Sequence, residues 1–136
     1  MTLTNPTIVE EALDEISAAL QDSKGISAHQ RRLAFVLSAG SVALLEQFLQ
    51  KRAVYKTGSR INHQWLKKKK ENVKIVLSRQ ITCPIEKISE LDRFLESAYA
   101  IEKERNQLAY GKPVSEEKLK ELIQLFLNFK EEVEHA

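Results

Sequence analysis

Residues 33–49 read LAFVLSAGSVALLEQFL, and they leave this chain few folds. Leu33, Ala34, Val36, Leu37, Val42, Leu44, Leu45, Phe48 and Leu49 leave little polar face between Leu33 and Leu45. A helix that is apolar most of the way round belongs at the centre of a bundle, with neighbours on several sides. Ser38-Ala39-Gly40-Ser41 is its waist, where small residues let a neighbouring backbone come close. A mid-helix glycine costs about 1 kcal/mol against alanine, so close packing at Gly40 is the expected compensation. Ser27-Ala28-His29-Gln30 has the form of a capping box and is expected to open this helix.

Other segments carry the same period. Asn5-Pro6 reads as a helix start, asparagine as cap and proline at the first helical position. Val9, Ala12, Leu13, Ile16, Ala19 and Leu20 then repeat at helical spacing, which predicts a first helix over 6–22. Residues 53–59 read as a connector broken at Gly58. From Ile61 onward, Trp65 and Leu66 share a helical face with Val73, Val76 and Leu77, and Lys67 to Lys70 lie between. The β-branched run Val73-Lys74-Ile75-Val76-Leu77 also suits a strand. With no second strand to pair with it, helix is the reading adopted. Ile81-Thr82-Cys83-Pro84 is a turn. A fourth helix begins near 84–89, and Ile88, Leu91, Leu95, Ala98, Ile101, Arg105 and Leu108 step along one side until Gly111 and Pro113 end it. Ser115 caps a last helix, with Glu116 and Glu117 in its first turn and a wide apolar face from Leu119 to Val133. The expectation is one all-α domain over 1–136, an antiparallel up-and-down bundle of four to five helices.

Cys83 is the only cysteine, so no internal disulfide forms, and a reducing cytoplasm is expected. The sequence shows no leader of the basic-then-apolar type, and its apolar runs fall short of the ~20 residues that span a bilayer. Net charge is only +2, but it is unevenly spread. Between residues 51 and 79 stand Lys51, Arg52, Lys56, Arg60, Lys67, Lys68, Lys69, Lys70, Lys74 and Arg79 against a single acid, Glu71. A basic surface beside an acidic one follows.

The stretch Glu104-Arg105-Asn106-Gln107-Leu108-Ala109-Tyr110-Gly111-Lys112-Pro113 puts a guanidinium and an amide behind an apolar stripe, just before a helix stop. Arg105-Asn106-x-x-x-Tyr110-Gly111, followed by a short turn and an amphipathic helix, resembles the end of the HEPN superfamily (higher eukaryotes and prokaryotes nucleotide-binding). That family's pattern is Arg, a polar residue, a few more residues and then His, commonly followed by Gly. Arg105, Asn106 and Gly111 match; Tyr110 stands where the family has histidine. The specific match covers about residues 88–134, and before it only the helical layout agrees.

The resemblance implies a homodimer whose two protomers bring Arg and His to one cleft for metal-independent RNA cleavage, with no cofactor. It implies that Arg105 holds the scissile phosphate, which a permanently charged planar fork of donors suits. Asn106 would orient the phosphate, and Tyr110 would be a compromised proton donor. An ordinary phenol has pKa ~10, so roughly one in a thousand is ionised at neutral pH, and it is a poor general base. Five residues at ~100° each set Arg105 and Tyr110 about 140° apart on a helix, so two related helices are needed to bring them together. His29 and His63 are far away in sequence and His135 is terminal, so no local histidine is expected to substitute. The function implied is an RNA-directed protein of toxin–antitoxin or defence type, a weak or inactivated RNase with RNA or nucleotide as partner. The alternative is a non-catalytic module that binds a small nucleotidyltransferase. A third reading is purely structural: Arg105 pairs with Glu102 one turn back, Asn106 satisfies backbone, and Tyr110 packs.

Lys67, Lys68, Lys69 and Lys70 suggest a nucleic-acid patch with Arg60 and Trp65 nearby, or else a solvated helix surface with Trp65 anchored in the core. Four successive helical residues sweep ~300°, so they cannot form one stripe. Glu132-Val133-Glu134-His135 has the Glu-x-x-His spacing of di-metal bundles. One copy without further inward carboxylates is not such a site, and no metal is expected.

Overall fold

The computed structural model describes residues 4–136. Its α-helices are α1 (Asn5–Gln21), α2 (Gln30–Lys51), α3 (Lys70–Ser78), α4 (Leu91–Glu102), α5 (Arg105–Tyr110) and α6 (Glu116–Glu134), joined by single 3-10 turns at Ile26–His29, His63–Lys67 and Ile85–Lys87. Among the described residues there is no β-sheet, only an isolated antiparallel bridge between Tyr55 and Ile81. The fold is therefore an all-α bundle, and residues 73–78 are helical.

The apolar α2 is the hub, packed against α1, α4, α5 and α6. Contrary to the sequence expectation, the stretch Ile26–Lys51 that contains it is long and apolar enough to cross a membrane, yet 67% of its apolar window is buried inside the bundle, as in a core helix. Its waist works through a side chain rather than a neighbouring backbone. A Cβ placed on Gly40 would lie 2.8 Å from two ring carbons of Phe126 on α6 and 3.4 Å from Cβ of Ala12 on α1. Phe126 and Ala12 are fully buried, so the ring would have to shift within a packed core. Further along, Phe48 of α2 meets Phe94 of α4 edge-on at 4.8 Å between centroids, and Phe94 leans on Phe129 of α6.

Several element ends differ from the sequence expectation. Thr4, not Asn5, caps α1, its side chain accepting from the Thr7 N–H at 3.4 Å. Ser27 makes no cap; a 3-10 turn precedes α2, and the Gln30 side chain turns across the bundle instead. The α2 helix stops at Ala53, before Gly58, in a left-handed conformation (φ 56°), with Val54 N–H donating to the Leu49 carbonyl and Ala53 N–H to that of Gln50. The segment 61–77 is no single helix. It is a 3-10 turn capped by Asn62, extended backbone at Lys68 and an α-helix from Lys70, so the lysine run crosses a break. The stripe read as one helix through Leu108 divides into α4 and α5: Glu104 N–H reaches only to the Ile101 carbonyl, three residues back, before the α pattern resumes at Leu108. Gly111 ends α5 in an extended conformation (φ −91°), not a left-handed one. Its role is spatial, because a Cβ there would lie 2.6 Å from the Gln107 carbonyl oxygen. Ser115 caps α6 as expected, accepting from Lys118 N–H at 3.1 Å.

A buried histidine ties the α1–α2 hairpin. His29 Nδ1 lies 2.6 Å from Glu15 Oε1 and Nε2 lies 2.8 Å from Asp22 Oδ2. The bonds to Glu15 and then to Asp22 outweigh burial and raise the His29 pKa. Burial pushes Glu15 up, but bonds from His29 and Arg32 prevail and its pKa falls; Asp22 is lowered by the Lys24 N–H and then by His29. The His29 contribution is complete below its unfolded value near 6.5 and fades as pH rises through the raised folded value. The carboxylate contributions are complete above the unfolded values near 4.5 and 3.8 and fade as pH falls through the lowered ones. The tie is strongest between about pH 4.5 and 6.5.

Two outcomes are expected. Calorimetry should show the wild-type melting temperature declining from about pH 6 to about pH 9, across the ordinary histidine range, and His29→Gln should remove much of that decline; equal declines would disprove the tie. Gly40→Ala should destabilise by about 1–3 kcal/mol in urea unfolding, because overpacking against Phe126 exceeds the gain in helix propensity. A stabilised variant would mean that Phe126 can move.

Candidate functional site

The carboxylate of Glu102, at the end of α4, is fully buried. Leu91, Leu95, Ala98 and Glu102 follow one helical stripe, so the fold carries this acid inward with its apolar neighbours. Ser38, from the α2 waist, donates its hydroxyl to Glu102 Oε2 at 2.6 Å. His63 Nδ1 lies 2.6 Å from Glu102 Oε1. That bond brings in a residue 39 positions away in sequence.

The connector holds His63 in place from both sides. Ile61 is buried just before it and Leu66 just after. Asn62 accepts from Gln64 N–H at 2.9 Å, which closes the 3-10 turn that begins at His63. Glu46 of α2 accepts from the Tyr55 hydroxyl at 2.6 Å and from Ile61 N–H at 3.3 Å; burial, then the bond to Glu46, pushes the Tyr55 phenol far up. The His63 side chain is one-third exposed (33%), and its Nδ1 is occupied by Glu102. Nε2 is the nitrogen left for a ligand.

His63, Arg60 and Arg105 line one cleft of about 800 Å³, together with Phe35, Ser38 and Glu46 of α2 and the first residues of α1. Among the described residues neither Arg60 nor Arg105 forms an ion pair, whereas His63 in the same cleft is held by Glu102. Arg105 does not pair with Glu102, which is turned inward. Its guanidinium lies over the Phe35 ring at 5.1 Å and donates to Asn106 Oδ1 at 3.2 Å. Tyr110 stands edge-on to the same Phe35 at 6.2 Å and is 71% exposed. Phe35 thus touches both ends of the Arg105–Tyr110 stretch without bringing them together. The α5 end is held by buried Gln30, which donates to the carbonyls of Leu108 and Lys112, each at 3.2 Å, and accepts from Val114 N–H at 2.9 Å.

The lysine run lies elsewhere. Lys67, Lys68, Lys69 and Lys70 rim a separate concavity of about 410 Å³ with Leu66, Val73, Leu95 and Tyr99. Lys70 bonds Glu96 at 3.1 Å, which raises its pKa, and Lys74 pairs with Asp92. Lys67, Lys68 and Lys69 have no ion-pair partner among the described residues. Arg60, grouped with these lysines from sequence, lines the Arg105 cleft instead. Trp65 is partly buried against the core.

Sequence reasoning missed Glu102, Ser38, His63, Phe35 and Gln30. One signal was legible: an acid occupying a stripe position of α4. Nothing local marked His63, because the contact that matters is made by the connector. No family model, curated protein or solved structure matches this chain.

Glu102→Ala would leave the Ser38 hydroxyl and the His63 ring without their partner. A loss of about 2–4 kcal/mol in urea unfolding is expected, with less than half of it in Glu102→Gln. A loss below about 0.5 kcal/mol, the range of ordinary surface changes, would show that the network contributes nothing to stability.

Proposed function

We propose that this chain is a HEPN-like, RNA-directed protein of toxin–antitoxin or defence type, which binds the RNA backbone in the Arg105 cleft. The observation that carries the phosphate-binding part of this reading is a pair of guanidiniums, Arg60 and Arg105, in one cleft and, among the described residues, without carboxylate partners. Two permanently charged forks in a concave site favour phosphate oxygens over a neutral ligand. The cleft also borders the start of α1, where the helix dipole favours an anion. Asn106, bonded to Arg105, orients the guanidinium. The motif resemblance, not the cleft, supplies the RNA assignment and its metal-independent chemistry, and Tyr110 in place of histidine points to weak or absent cleavage at that position.

One observation favours the partner-binding alternative. Phe35 and Tyr110 expose aromatic surface (39% and 71%) beside Arg105, and aromatics with arginine characterise the energetic centre of protein interfaces. The occupant of that face would be a second copy of this chain or a small nucleotidyltransferase.

The test is fluorescence anisotropy with single-stranded RNA over a salt series. Wild-type binding should weaken with salt. Arg60→Ala/Arg105→Ala should lower the slope of log affinity against log salt by about 1.4, from roughly 0.7 per single-strand phosphate contact. Absent binding at low salt, or a double variant that binds like wild type, would overturn the RNA reading and leave the partner-binding one.

A further inference from the structure

We infer that His63, oriented by the buried carboxylate of Glu102, is the proton-transfer group of the Arg105 cleft, in place of the tyrosine at the motif position. The inference rests on the RNA-phosphate reading and deepens it. A carboxylate on Nδ1 holds one tautomer of an imidazole and leaves Nε2 free to take a proton. Glu102 is fully buried and bonded at 2.6 Å on both oxygens, to Ser38 and to His63, so the ring has an anchor that cannot swing into water. The ring itself is one-third exposed and shares the cleft with the guanidiniums of Arg60 and Arg105, which form no ion pair among the described residues. Among the described residues Tyr110 makes no side-chain hydrogen bond: it is exposed, and its ring meets Phe35 edge-on. The other charged group lining the cleft among the described residues, Glu46, accepts from the Tyr55 hydroxyl and the Ile61 N–H on its Oε2, while Glu102 holds His63.

The step proposed is transfer of an RNA phosphodiester to its own 2′-hydroxyl. His63 Nε2 takes the 2′-hydroxyl proton as the O2′–P bond forms. The P–O5′ bond breaks with its electron pair on O5′, Arg60 and Arg105 holding the non-bridging oxygens. The imidazolium releases its proton to water, and O5′ takes one from water. The products are a 2′,3′-cyclic phosphate and a 5′-hydroxyl, and nothing else is consumed. Arg60, His63 and Arg105 all belong to one protomer's cleft, so this chemistry does not need a second copy to supply a group. Glu102 and Ser38 are positioning residues.

The experiment is cleavage of end-labelled mixed RNA in EDTA by the full chain, with RNA binding measured in parallel. His63→Ala should lose about 10²- to 10⁴-fold in rate, the usual worth of a general acid or base. It should keep RNA affinity, and added imidazole should restore part of the rate. Tyr110→Phe should cleave like wild type. Glu102→Gln should lower kcat with KM unchanged, and it should weaken or move the low-field Nδ1–H proton resonance of His63. A wild type that binds RNA without cleaving it overturns this inference and leaves the phosphate-binding reading standing. A wild type that neither binds nor cleaves sinks both. Cleavage that is lost in Arg105→Ala but undiminished in His63→Ala overturns the inference alone. So does loss in His63→Ala that imidazole does not restore and that accompanies a lower melting temperature.

Discussion

Removing the Glu102 carboxylate from water is the constraint from which the arrangement of this bundle follows. A buried carboxylate is costly unless hydrogen-bond donors surround it. Here a serine hydroxyl comes from the waist of α2 and an imidazole from the connector that follows α2. Three segments distant in sequence are thereby locked at one point, beside the place where the α4 stripe tightens and restarts as α5. Arg105 begins α5 and so sits next to this lock.

The rest of α2 answers the same demand in other ways. On its buried faces the polar groups Gln30, Ser38 and Ser41 must find partners inside the protein. Gln30 does so by gripping both sides of the turn after α5, Ser41 by bonding back to the Leu37 carbonyl, and Ser38 through Glu102. Gly40 admits the Phe126 ring between them. The central helix is thus the scaffold that orients α5 and one wall of the cleft, with Phe35 reaching outward on the same helix to both Arg105 and Tyr110.

Pairing also decides which cations remain for a ligand. Arg52 pairs with Glu90, Lys70 and Lys74 with acids of α4, and Lys51 and Lys56 with backbone carbonyls. Among the described residues Arg60 and Arg105 remain without ion pairs in one cleft and Lys67, Lys68 and Lys69 at another concavity, and Arg79 also forms none. A basic segment on paper becomes two separate places of different chemistry: guanidiniums beside a histidine in one, ammonium groups around an apolar floor in the other.

The sequence by itself determined the all-helical class, the central place of α2, the tight spot at Gly40, the Ser115 cap and the stop after Tyr110. These depend on interactions within a few residues or on a 3.6-residue apolar period, which a chain displays without being folded. It also singled out Arg105 and Arg60, because a guanidinium near a helix stop or in a basic run is visible locally. Only the tertiary structure decided that these two arginines face one cleft and that the lysine run does not join them. It alone replaced an Arg105–Glu102 pair by a buried Ser38–Glu102–His63 network. Hydrogen bonds that satisfy a buried charge span 64 and 39 residues here, and no spacing rule reaches that far. Burial settles them, because a carboxylate carried inward by its helix must take whichever donors the packing of other segments brings to it.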